Sequence, residues 1–321
     1  MKFFLLFLFI VIERTCSHLI RSNLAEWEML NKYNVEHVVT PNEIDLDSIT
    51  METWGEIISL CPSVPTSPRI NVFFDYSLEN STTLAYASQN LHLTSSGYWV
   101  STIYEAMSQR RNSSLGIAFD MHIAFNPYPP NGWHVDKDCS NISYRYDLRT
   151  VLRHELLHGL IFAGSLREIT NQFGFNQWIV GYTFGGTCYP RLYDTKITYD
   201  DGTSILQPLP NTTLTSMDNC LLRVDRSVVG ADLYIGDVEL YHPYSFRSGS
   251  SISHHNYPGN LMYASTVPMI CIKMGDYEGK VLSELGIGCT INNVTYKGSG
   301  TAKKIYRVLY LLSIITLILL C

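Results

Sequence analysis

Asp147-Leu148-Arg149-Thr150-Val151-Leu152-Arg153-His154-Glu155-Leu156-Leu157-His158-Gly159-Leu160 is the stretch on which the reading of this 321-residue chain turns. No Pro or Gly interrupts it from Asp147 to His158, so a helix is expected. Four residues advance about 400° around a helix, which sets His154 and His158 one turn apart on a single face. Two imidazoles at that spacing can chelate one metal ion. Glu155 stands one step round, where it can reach a water on the ion without being a ligand. Val151, Leu152, Leu156, Leu157 and Leu160 supply the apolar positions that bury the rest of the helix.

Two His leave a catalytic metal site short of a third protein ligand. His122 and His134 have no partner four residues on and read as polar-face or loop residues. The loop-rich stretch 247–262 carries His254, His255 and Met262. From the residues alone the third ligand is His254, His255 or neither.

The segments on either side divide by pattern. Ile70, Val72, Phe74 and Tyr76 alternate within residues 69–77 and predict a half-buried strand. Residues 97–110 predict a helix. Residues 116–126 predict a second strand, with Met121, Ile123 and Phe125 on one side and His122 on the other. Strand, helix, strand and metal helix follow in that order. Beyond them, Asp200-Asp201-Gly202 is a hairpin signal within paired strands of residues 189–206, residues 224–242 hold another alternating stretch, and residues 276–286 predict a short helix. Residues 23–33 and 54–60 predict amphipathic helices. Pro62, Pro65 and Pro68 mark a boundary, so residues 18–67 read as an N-terminal segment, either a pro-region or a wrap on the domain that follows.

Both ends of the chain carry address signals. Met1-Lys2, the ten apolar residues 3–12 and the small Cys16-Ser17 read as a secretory signal over residues 1–17. At the other end, the small run Gly298-Ser299-Gly300, a polar spacer and an apolar tail match a GPI-attachment signal over 298–321, with Gly298 or Ser299 as the lipidated residue. A tail-anchored helix is the rival. Extracellular display at a membrane surface is the expected location. Six cysteines remain between the signals (Cys61, Cys139, Cys188, Cys220, Cys271 and Cys289) and fit three disulfides among fifteen pairings. With no C-x-x-C pair, a thiolate zinc site is not expected. Sequons at Asn80, Asn112, Asn141, Asn211 and Asn293 suggest glycosylation. A net charge of −6 with no long Lys/Arg run argues against a nucleic-acid partner.

His154-Glu155-Leu156-Leu157-His158-Gly159-Leu160-Ile161-Phe162, followed far downstream by Ser253-His254 and Asn260-Leu261-Met262, resembles the leishmanolysin-like metzincins. Those proteases carry H-E-x-x-H-x-x-G-F, a long insertion, a third His and a Leu-Met that forms a turn beneath zinc. Ile161 stands where the family has Gly, so the bend out of the helix is expected at Gly159 or Gly164. The resemblance runs through residues 97–288. It implies an α+β, two-lobe fold: residues 68–165 as an upper lobe with a twisted mixed sheet and the active-site helix, and residues 166–297 as an irregular, disulfide-linked lower lobe. It implies Zn²⁺ held by His154, His158 and His254, with His255 as the rival ligand. Glu155 would be the general base and Met262 the support. The strand before the metal helix would pair an extended protein or peptide substrate. The expected function is a cell-surface zinc endopeptidase. The alternative is a lipid-anchored adhesion or recognition protein that keeps the metal fold without turnover.

Overall fold

The structure, a computed structural model, describes residues 18–22, 27–30, 45–61, 70–78, 81–109, 119–139, 142–170, 176–185, 187–206, 231–292 and 294–296. Among them the chain is mixed α+β, with four α-helices and several small sheets. The signals expected at residues 1–17 and 298–321, including Gly298 and Ser299, lie outside the described residues. So do Asn80, Asn112, Asn141, Asn211, Asn293 and Cys220. No helix of the described residues is long and apolar enough to cross a membrane.

The first half is built on one five-stranded sheet. Its strands are β1 (His18–Ser22), β2 (Trp27–Leu30), β3 (Asn71–Asp75), β4 (Ala85–Gln89) and, after three further elements, β7 (Met121–Phe125), in the order β2-β1-β3-β7-β4. β3 and β7 run parallel; the other pairs are antiparallel. Val72 and Phe74 alternate into the core from β3, and Met121, Ile123 and Phe125 do so from β7. Between β4 and β7 come the pair β5 (Leu91–Leu93) and β6 (Trp99–Ser101), then helix α2 (Thr102–Gln109). The expected helix of residues 97–110 thus begins three residues of strand later. β8 (Trp133–His134) and β9 (Tyr146–Asp147) lead into helix α3 (Leu148–Leu160), which carries His154 and His158.

Helix α1 (Leu46–Leu60) extends the helix expected at 54–60 toward its N-terminus, where Asp45 accepts the Ser48 N–H at 3.0 Å. It packs on α3 and buries Trp54 and Ile57, and its acids meet the arginines of α3: Glu56 with Arg153 at 2.7 Å and Glu52 with Arg149 at 2.8 Å. Each large apolar side chain so buried contributes roughly 1.5–3 kcal/mol. The helix expected over residues 23–33 is corrected at Trp27–Leu30, which is strand β2, paired to β1 with Leu30 opposite Leu19. Trp27 to Leu30 have only a weak helical period, and pairing along a sheet edge overrides it.

The second half consists of short antiparallel pairs. β10 (Arg167–Thr170) pairs with β11 (Asn176–Ile179), and β12 (Tyr182–Phe184) with β13 (Thr187–Tyr189). β14 (Ile197–Tyr199), β15 (Leu233–Ile235) and β16 (Val238–Glu239) form a three-stranded sheet. The expected turn is present, with Asp201 accepting the Thr203 N–H and Gly202 at φ +78°. Helix α4 (Asp276–Glu284) and the pair β17 (Cys289–Ile291) and β18 (Val294–Tyr296) close the described chain. Two disulfides join distant parts: Cys61–Cys289 ties the end of α1 to β17, and Cys139–Cys271 ties the loop after β8 to the segment before α4. Cys188 is also disulfide-bonded.

Candidate metal centre

Helix α3 is fixed at both ends. Asp147 caps it, accepting the Thr150 N–H at 2.8 Å and the Thr150 hydroxyl at 2.6 Å. The same hydroxyl accepts the N–H of Ile272 at 2.7 Å, which brings the segment after Met262 onto the helix. At the far end Ile161 and Phe162 both donate their N–H to Leu157 at 3.0 Å. Ile161 has φ −165°, an extended backbone any residue adopts. This corrects the expected bend at Gly159 or Gly164: neither has positive φ, so the exit does not demand glycine geometry and Ile161 is accommodated. Both glycines serve space instead. A Cβ on Gly159 would meet Met121 Sδ at 2.4 Å, and one on Gly164 would meet Ile252 Cδ1 at 2.6 Å.

His154 and His158 stand one turn apart, and the loop after β16 brings His254 to them. The three Nε2 atoms are mutually 3.0 Å apart. Each ring is set from behind by a backbone carbonyl accepting at Nδ1: Leu261 for His154 at 2.7 Å, Phe162 for His158 at 2.5 Å and Ser250 for His254 at 2.7 Å. A carbonyl only accepts, so each Nδ1 carries the proton and each Nε2 presents a lone pair inward. Three converging lone pairs repel one another unless a cation lies among them. The spacing of the three nitrogens fits a shared ion with metal–nitrogen bonds of about 2.0–2.1 Å, which His154, His158 and His254 would hold. The ring orientation by carbonyls is what metal-binding imidazoles require. Among the described residues, no other His, Cys, Asp or Glu group forms such a cluster.

Burial, reinforced by the neighbouring rings, pushes the imidazoles below their usual range: His154 to about 4, His254 to about 3 and His158 well down. All three are therefore neutral, the ligating form, at neutral pH. Glu155 moves the other way. Burial pushes its carboxyl up to about 8 against the lowering effect of a hydrogen bond from the Ala87 N–H. Its Oε2 is buried and has no hydrogen-bond partner.

His255 does not join the cluster. Its Nε2 lies 2.7 Å from Glu278 Oε1, and both side chains are buried. Glu278 Oε1 also accepts the Met262 N–H at 3.0 Å, while Oε2 accepts the Gly275 N–H at 2.7 Å. Burial raises the Glu278 carboxyl, but His255 and these two N–H donors outweigh it and leave the group below the usual carboxylate value. Met262 is fully buried, and its carbonyl accepts the His255 N–H at 3.0 Å. Two residues before His254, Ile252 holds φ +62°, a strained value for a branched side chain. The hydroxyl of Tyr193 holds it by donating to its carbonyl at 2.9 Å. His122 instead pairs with Asp75, and the buried His134 bonds to the Asp138 carbonyl.

The cluster opens into a cleft of about 700 Å³ that runs along β4. This corrects the expected substrate strand: β7 lies between β3 and β4, so the edge facing the cleft belongs to β4. Ala85-Tyr86-Ala87-Ser88-Gln89 gives little strand signal, having no β-branched residue. Gln89 donates to the His158 carbonyl, and Arg191 reaches Gln89 Oε1 at 3.2 Å and the Ala163 carbonyl at 3.3 Å. Sequence reasoning had no signal for either, because their partners are brought together only by the fold.

No family model, curated protein or solved structure matches this chain.

Proposed function

We propose that the protein is a zinc-dependent endopeptidase with a two-lobe, metzincin-like architecture, the lobes meeting at the cleft. The observation that carries this reading is the Nε2 triangle of His154, His158 and His254 beside the buried Glu155 in an open cleft. Three neutral imidazoles suit Zn²⁺, and they leave a fourth position toward the cleft, as a catalytic site needs. Bound zinc would supply a Lewis acid that acidifies water and polarises a carbonyl.

The chain's own residues supply the rest. β4 offers an edge on which an extended peptide pairs through its main chain. The Ala87 N–H orients one Glu155 oxygen; a cation among the imidazoles would favour the carboxylate that burial alone disfavours, and the unpartnered Oε2 would then take a proton from water and return it to the leaving amine. The Leu261, Phe162 and Ser250 carbonyls keep the imidazoles aimed through the cycle. The disulfides fit an oxidising, exported setting.

Glu155→Gln is the test. Peptide hydrolysis by the zinc-loaded protein is expected to fall by at least about 100-fold, with bound zinc unchanged at about one per chain. Unimpaired hydrolysis in the variant, or a wild type that cleaves nothing in a mixed peptide library, would sink the proposal.

A further inference from the structure

Arg191 is the one Lys or Arg among the described residues lining the cleft, and Glu155 is the one acid. Three of its donor interactions are spoken for: Nη1 serves Gln89 and Ala163, and Nη2 serves the Tyr182 hydroxyl at 2.7 Å. A guanidinium carries five N–H donors, so the Nε–H and an Nη2–H remain. Nε has no hydrogen-bond partner. Arg191 shares an aromatic ring with a second guanidinium: Cζ of Arg167 and Cζ of Arg191 stand 5.2 and 5.3 Å from the centroid of Tyr182. Among the described residues the arginines in ion pairs are Arg149 and Arg153; Arg191 and Arg167 are in none. The nearby Asp194 bonds to the main-chain N–H of Arg191 and to Ser165, not to the guanidinium. Arg191 thus gives the cleft its one cation among the described residues, with the buried Asp194 the acid that feels its charge.

We infer that Arg191, backed by Arg167, is a specificity subsite that selects substrates with an acidic side chain on the N-terminal side of the scissile bond. This rests on the endopeptidase reading. The side follows from the topology. β4 runs from Ala85 to Gln89, and an antiparallel peptide, the more stable pairing, enters at the Gln89 end. The general base sits opposite Ala87, and Arg191 bonds to Gln89, two residues on. At about 3.3 Å per residue, the acid falls roughly two to three residues before the cleaved bond. A carboxylate there is attracted by the guanidinium charge and can accept from the Nη2–H that Tyr182 does not use, Nε being buried. A substrate's terminal carboxylate would lie toward the opposite end of the cleft and is not the ligand.

The experiment uses the zinc-loaded protein and paired fluorogenic peptides, each with Asp or Glu against Asn or Gln at successive positions on both sides of the cleaved bond. The expected wild-type result is a kcat/KM ratio, acidic over neutral, of about tenfold. It should be carried mainly by KM, confined to the N-terminal side and reduced by salt. Arg191→Gln should bring the ratio near one whatever its effect on overall rate. Arg191→Lys should retain part of it, and Arg167→Gln should lower it. Binding of the same peptides to the Glu155→Gln protein, read by fluorescence anisotropy, gives the ratio without turnover. A wild-type ratio near one, a preference on the C-terminal side, or an Arg191→Gln protein that keeps the ratio would overturn the inference. Should Arg191 variants fail to fold, the wild-type ratio and Arg167→Gln decide. Cleavage without acid preference defeats the subsite alone, whereas absence of all cleavage defeats the endopeptidase reading.

Discussion

His254 and His255 are neighbours with the same side chain and opposite surroundings. One presents Nε2 to two other imidazoles, and the other is held by Glu278 beneath the loop. Substitution therefore separates them. His254→Ala is expected to weaken zinc by more than about 100-fold, beyond what altering an outer partner does, with folding of the metal-free protein little changed. His255→Ala should retain near-stoichiometric zinc. It leaves Glu278 buried without that hydrogen-bond partner, at a cost of about 1–3 kcal/mol in unfolding free energy. Metal analysis and denaturant titration of the two proteins check this, and equal zinc loss in both would contradict it. At this scale the sequence was most legible for His154, Glu155 and His158, because a local helix fixes their relation. The choice between His254 and His255 was not legible, since it depends on Glu278, more than twenty residues away in another helix.

Elements carry the site through contacts that no periodicity announces. The helix of the metal site was readable from its uninterrupted run and its Asp147 cap. β4 was not, because Ala, Ser and Gln form a strand here only by pairing with β7. Strand β2 was misread for the same reason in reverse. Gly164 shows how element contacts reach the metal site. It leaves room for Ile252 Cδ1, and Ile252 in its left-handed conformation starts the turn that delivers His254. Gly164→Ala is expected to lower stability by about 1–3 kcal/mol and to weaken zinc as well. Gly159→Ala presses on the end of the flexible Met121 side chain and should do less to metal affinity. Zinc titration and thermal melts of both proteins test the contrast, and an Ala at 164 with unchanged zinc affinity would argue against it.

Taken whole, the molecule is closed by a site that draws on both halves of the chain. Two of the three imidazoles come from α3, and the third comes from about a hundred residues later. Removing the ion should therefore loosen the junction as well as abolish turnover. With zinc near 1,000 times its dissociation constant, binding contributes about 4 kcal/mol, so chelation should lower Tm by about 10 °C. Readdition should restore it, and a melt insensitive to chelator would show that the cluster holds no ion of consequence.

The bridge between Cys61 and Cys289 spans 228 positions. During synthesis the first of these thiols leaves the ribosome long before the second exists. In the interval Cys139, Cys188, Cys220 and Cys271 emerge in turn as wrong partners within reach of exchange. Correct pairing across that interval calls for surroundings that break premature crosslinks as readily as they make them, and a host cell supplying oxidant without an isomerase is expected to yield scrambled chains.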